Sequence, residues 1–130
     1  MTFDAIGIAA TGLTLHRKWL DAVSDNLANA NNAAGTDGSA FQARYVLARE
    51  GEGNSGAYVA GAAWGDAAGR MVYEPDHPLA DAEGYVRYPD IDLAEQMGQL
   101  ILAQRGYQAN AAVVDRAKAT YEAALQIGRS

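Results

Sequence analysis

Residues Asp92–Gly128 carry an apolar row at alternating steps of three and four: Leu93, Met97, Leu100, Gln104, Tyr107, Ala111, Val114, Lys118, Tyr121 and Leu125. That spacing predicts a long helix with one adhesive face. No Pro interrupts it. Asp92 followed by Glu95 fits a capping pair at the start, and Gly128 fits the stop. At ~1.5 Å per residue the rod is roughly 55 Å long, more than a chain of 130 residues can wrap. Gly98 and Gly106 each cost such a helix about 1 kcal/mol relative to Ala. Contacts outside the helix must offset that loss. The row therefore needs a partner, from the same chain or from another.

A second row stands at the other end. Ile6, Ala9, Leu13, His16, Leu20, Val23, Leu27 and Ala30 repeat the same steps and predict a helix over Thr2–Ala30. Its small residues let a partner helix approach closely. The Asn- and Gly-rich run from Asn29 to Gly38 has loop chemistry and stops it. Alternation over Phe41–Arg49 predicts a strand with Phe41, Ala43, Tyr45 and Leu47 on one face. Ala57–Trp64, Arg70–Tyr73 and Tyr85–Tyr88 are further short extended pieces. Between the last two, Glu74-Pro75-Asp76-His77-Pro78 forms a rigid turn, since each Pro fixes its own backbone angle. The expected class is α+β: two long terminal helices pairing as an α-helical coiled coil, with a small β-rich insertion. The expected domains are a discontinuous helical one, 1–31 with 91–130, and a β/loop insertion, 32–90.

Composition decides whether such a chain can stand alone. Of its hydrophobic residues 28 are Ala, while Leu, Ile, Val and Phe together number 24. That is about 18% of the chain, below the ~20% at which a self-sufficient core becomes doubtful. Marginal monomer stability follows, with ordering helped by assembly. Charge is uneven. Residues 31–90 hold nine acids against four Arg, while the two ends are close to neutral. The ends suit packing and the middle suits solvent. No basic stripe favours nucleic acid. The absence of Cys excludes disulfides and thiolate metal sites. No apolar stretch reaches 18 residues, so no membrane insertion is expected. The N-terminus lacks the basic and apolar regions of a cleavable secretory signal.

Ser24-Asp25-Asn26-Leu27-Ala28-Asn29-Ala30 resembles the S-x-N-[LI]-A-N-[AV] motif near the N-terminus of bacterial flagellar rod and hook proteins. Val72-Tyr73-Glu74-Pro75-Asp76-His77-Pro78, the run on to Gly84-Tyr85-Val86, Pro89-Asp90-Ile91-Asp92, Glu95-Gln96-Met97 and Arg105-Gly106-Tyr107-Gln108-Ala109-Asn110 are similar to one branch, the proximal rod FlgC family. Residues 49–70 carry no motif of that family. Thr120 and Tyr121 stand where it often has apolar residues. The resemblance implies a structural subunit of the basal-body rod, the drive shaft that carries motor torque across the periplasm. It implies export through the flagellar type III apparatus without a cleaved signal peptide. It also implies terminal helices that order into a tube on assembly, with self and other rod subunits as partners.

The expected subunit interface lies on the two rows. On the first helix it takes Ile6, Leu13, Leu20, Val23, Asn26, Leu27 and Asn29. On the second it takes Leu93, Met97, Leu100, Tyr107, Gln108, Asn110, Val114, Tyr121 and Leu125. Buried amides among them would fix register, as a buried Asn does in coiled coils. No enzyme is expected, and no cofactor, metal or small-molecule substrate. His77 reads as a turn residue and His16 as a packed one, because no second ligand stands at metal spacing. Gly65–Arg70 lacks the Gly-Lys-[Ser/Thr] ending that cradles phosphate. Another rod subunit, or a free helical adaptor or export chaperone, would show similar sticky helices.

Overall fold

The computed structural model describes the backbone of residues 2–129 and the side chains of residues 4–129. Its elements run α1 (Thr2–Asn29), β1 (Arg44–Glu50), β2 (Ala57–Trp64), β3 (Arg70–Tyr73), β4 (Tyr85–Tyr88) and α2 (Leu93–Arg129). The class is α+β. β1 pairs with β2 and β3 with β4, giving two separate two-stranded sheets. β3 and β4 are antiparallel, with Arg70 opposite Tyr88 and Tyr73 opposite Tyr85. Asp92 caps α2, its carboxylate accepting from the N–H groups of Ala94 at 2.9 Å and Glu95 at 3.3 Å. The expected stop at Gly128 is corrected: the helix runs through it to Arg129.

The chain forms two compact units, each holding part of both helices. The first comprises Met1–Leu20, Val46–Gly61 and Ile101–Ser130. Within it α1 and α2 run antiparallel, with Gly12 facing Asn110 and, one turn on, His16 facing Gly106. Ala9, Ala103 and Ala117 are buried here. Small residues make this seam because only they let two helix backbones come this close. The hairpin arm joins α1 through Thr11. Its hydroxyl accepts from the Ala57 N–H at 3.1 Å and donates to the Ile8 carbonyl at 2.6 Å.

The second unit comprises Asp21–Tyr45 and Ala62–Leu100. Its apolar centre is Ala30, Ala43 and Ile91, with Phe41 packed against it, and Val86 and Pro89 are also buried. The loop after α1 is tied down by a backbone bridge between Ala34 and Arg87. The Arg87 side chain donates to the carbonyls of Thr36 and Ala68.

Two expected faces are corrected. In β1 the alternation does not continue from Phe41 and Ala43 into Tyr45 and Leu47. Val46 is half-buried, while Tyr45 and Leu47 are exposed. The strand itself begins only at Arg44, whose backbone N–H and carbonyl are both taken by a side chain on α1, that of Asn26. In α2 the inward row lies about one residue before the apolar one. Gln96, Ala103 and Ala117 are buried and Asn110 half-buried, each one residue before an expected position. Leu100, Ala111 and Val114 of the expected row stay half-buried, whereas Leu93, Met97, Tyr107, Tyr121 and Leu125 are exposed. Small and amide side chains fill most of the inner row, and most of the large apolar ones face out.

Candidate assembly interface

The polar centre of the second unit is Asn26, 1% exposed. Its carboxamide behaves like a strand neighbour of Arg44. Oδ1 accepts from the Arg44 N–H at 2.8 Å, and Nδ2 donates to the Arg44 carbonyl at 3.0 Å. Nδ2 also donates to Oε1 of Gln96 at 3.1 Å, itself 1% exposed. One amide thus holds the end of α1, the start of β1 and the first turn of α2. A buried polar group is tolerated where its hydrogen bonds are made, and this one makes three. The Arg44 guanidinium adds a 2.7 Å ion pair to Asp25 at the surface, worth at most about 1 kcal/mol.

In the first unit the matching element is His16. Its Nδ1 lies 2.7 Å from the Gly12 carbonyl, so Nδ1 must carry the proton and donate. The ring sits directly over Gly106, where any side chain would collide with it, and its centroid is 5.8 Å from that of Trp19. Asn110 donates to the Gly106 carbonyl at 2.8 Å and fills the space above Gly12. The expected offset for the helix cost of Gly106 is therefore this imidazole. Gly98 has no such neighbour.

The remaining expected interface residues divide by exposure. Val23 is buried. Ile6, Leu13, Leu20, Leu27 and Asn29 on α1, and Leu100 on α2, are half-buried. The Asn29 amide bonds only its own helix, at Asp25. Gln108 is exposed, as are Leu93, Met97, Tyr107, Tyr121 and Leu125 on α2. Ile101, Leu102 and Ile127 are exposed as well and lie outside the expected row. Gln96, in the Glu95-Gln96-Met97 motif, is buried and lies outside the expected interface.

A third element is the loop before β4. Asp81 Oδ1 accepts from the N–H groups of Tyr85 at 2.8 Å and Glu83 at 3.0 Å, and Oδ2 from the Thr36 hydroxyl at 2.9 Å. These bonds, the Tyr85 N–H first, hold the Asp81 carboxyl below the usual carboxylate range. Gly84 closes the loop at φ +89°, against Tyr73 and Pro75. Because the folded value is the lower one, the contribution of Asp81 is complete above the ordinary carboxylate range. It is lost as pH falls through the depressed folded value. Asp81→Ala is expected to speed hydrogen exchange at the Glu83 and Tyr85 amides at neutral pH. The wild type should show the same change only in acid. Unchanged exchange in the variant would mean that the carboxylate does not hold the loop.

Other chemistry is sparse. Among the described residues no three His, Cys, Asp or Glu side chains cluster to hold a metal ion. No described helix is long and apolar enough to cross a membrane. Burial, with the carboxylates of Glu95 and Asp90, raises the Tyr45 hydroxyl above its ordinary value. A 2.8 Å bond to Glu74 is the main cause of a raised value at Tyr88. His77 is a turn residue whose Nδ1 accepts from the Leu79 N–H at 3.0 Å.

Amide and glycine contacts lie inside the units, and many large apolar side chains of α2 are exposed to solvent. Comparison with known proteins gives the family. The model described as the flagellar basal body rod FlgEFG protein C-terminal matches residues 82–127. The chain is 36% identical over 126 residues to the flagellar basal-body rod protein FlgC of Salmonella typhimurium, with 94% of each chain covered. It is 34% identical over 125 residues to that of Aquifex aeolicus, with 92% of each covered. To that of Borreliella burgdorferi it is 29% identical over 146 residues, with 96% of each covered. The chain belongs to the FlgC family of flagellar basal-body rod proteins.

Proposed function

We propose that the chain is a structural subunit of the proximal rod in the flagellar basal body, and not an enzyme. It polymerises through its terminal helices with itself and with other rod subunits, and the shaft carries motor torque across the periplasm. It leaves the cytoplasm through the flagellar type III apparatus without loss of a signal peptide. Residues 1–31 and 91–130 supply the axial packing as a coiled coil, and residues 32–90 form the insertion. The family favours this reading over a free adaptor or chaperone. The observation that carries it to the residues is the apolar surface that α2 leaves to solvent, where Leu93, Met97, Tyr107 and Leu125 are exposed. A helix this rich in solvent-exposed large apolar side chains has its stabilising contacts in other subunits.

Met97 is the place to test it, being 59% exposed. Met97→Asp leaves the carboxylate in water in the free subunit, so folding and export are expected to continue. In the rod the same carboxylate would be buried without a partner, at a cost of several kcal/mol in every copy. Swimming should stop, with the chain exported but absent from basal bodies seen by electron microscopy. Normal rods carrying Met97→Asp would leave this face of α2 without a role in assembly.

A further inference from the structure

The first unit carries an open groove of about 500 Å³ between α1 and the β1–β2 arm. Its floor is apolar, with Leu15 and Val59, and the exposed cations Lys18 and Arg49 stand at its rim. Arg49 lies over the Tyr58 ring at 5.9 Å. Neither cation has a carboxylate partner among the described residues. In a chain of net charge −6, two such cations beside an apolar floor ask for an acidic, apolar-tipped occupant.

The second unit presents one. Leu79 stands 46% exposed at the tip of the loop between β3 and β4, flanked by the exposed carboxylates of Asp76 and Glu83. The loop is rigid before it meets anything. The Glu74 carbonyl accepts from the His77 N–H, and the His77 carbonyl accepts from the Ala80 N–H, each at 3.0 Å. His77 and Asp81 hold the amides of Leu79, Glu83 and Tyr85. Little conformational freedom remains to be lost on docking.

We propose that the Leu79 loop of one copy docks in the Lys18–Arg49 groove of the next. Leu79 meets the apolar floor, and Asp76 and Glu83 meet the two cations. Because the two surfaces differ, each copy keeps one of them free for the next, so the contact can repeat from copy to copy. This rests on the rod-subunit reading and assigns it a specific contact between neighbours.

The chain has no Cys, so introduced ones report without background. Thr14 lines the groove and Ala82 follows the loop tip, both exposed. Thr14→Cys with Ala82→Cys, oxidised in purified basal bodies, is expected to give a ladder of linked copies. Adding Leu79→Asp should remove the ladder. Lys18→Glu with Arg49→Glu should also remove it and stop swimming. Adding Asp76→Lys with Glu83→Lys to that pair should restore both. A link only within one chain, a link to a different protein, no ladder, or no rescue by the reversed charges would each overturn the proposal. Absence of the wild-type chain from basal bodies would instead overturn the reading on which it rests.

Discussion

Gly106→Ala is expected to destabilise the free subunit, although it improves the helix. Ala gains about 1 kcal/mol over Gly in a helix interior. Here the added methyl would point into the His16 ring. The ring has no easy escape, because Nδ1 is held by the Gly12 carbonyl at 2.7 Å and Trp19 lies against it. Forcing extra volume into a packed site costs about 1–3 kcal/mol, which outweighs the propensity gain. The control is a double-mutant cycle. In a His16→Ala background the methyl meets open space, and Gly106→Ala should then stabilise by about 1 kcal/mol. Urea unfolding of the four proteins measures it. Stabilisation by Gly106→Ala in the wild-type background would show that the imidazole does not clamp the two helices.

His16 also shows what could be read from the chain and what could not. The α1 row was legible: Ala9, Val23 and Ala30 are buried and the rest of the row is half-buried. Its Ile, Leu and Val residues recur with Ala at steps of three and four, so periodicity finds them. The bounds of β2, β3 and β4 were also legible, because Gly, Pro and Asp punctuate them. The inward row of α2 was not. Hydrophobic periodicity ranks Met97 above Gln96, yet Gln96 is buried and Met97 exposed. A side chain's own hydropathy cannot report that an amide across the unit will satisfy it. Nor does it show that Ala103 and Gly106 permit a close approach which larger residues forbid. Nor does it show that Asn26, 18 residues away, takes both the backbone N–H and the carbonyl of Arg44. The role of Asp81 is not legible in the sequence, because three acceptor bonds to one carboxylate appear only once the loop is closed.

Asn26→Asp is expected to have the largest effect of any single isosteric change in this chain. The substitution keeps the shape and keeps the acceptor for the Arg44 N–H. It removes the donor that serves the Arg44 carbonyl and Gln96 Oε1, and it faces those two oxygens with a third. At a site 1% exposed, neither water nor the Arg44 guanidinium, which is held by Asp25, can compensate. An uncompensated buried charge of this kind costs about 3–5 kcal/mol. A domain typically has only about 5–15 kcal/mol in total. The end of α1, the start of β1 and the first turn of α2 should loosen together, because one amide joins all three. Asn29, three residues on in the same motif, is the internal contrast. Its amide bonds only the Asp25 carbonyl of its own helix, at 2.8 Å, so Asn29→Ala should fall within about 0.5 kcal/mol of the wild type in the free subunit. Thermal melts of the two variants give the ranking, and swimming gives its consequence for assembly. An Asn26→Asp chain that melts with the wild type, or an Asn29→Ala chain that loses as much stability, would move the organising contact of this unit away from Asn26.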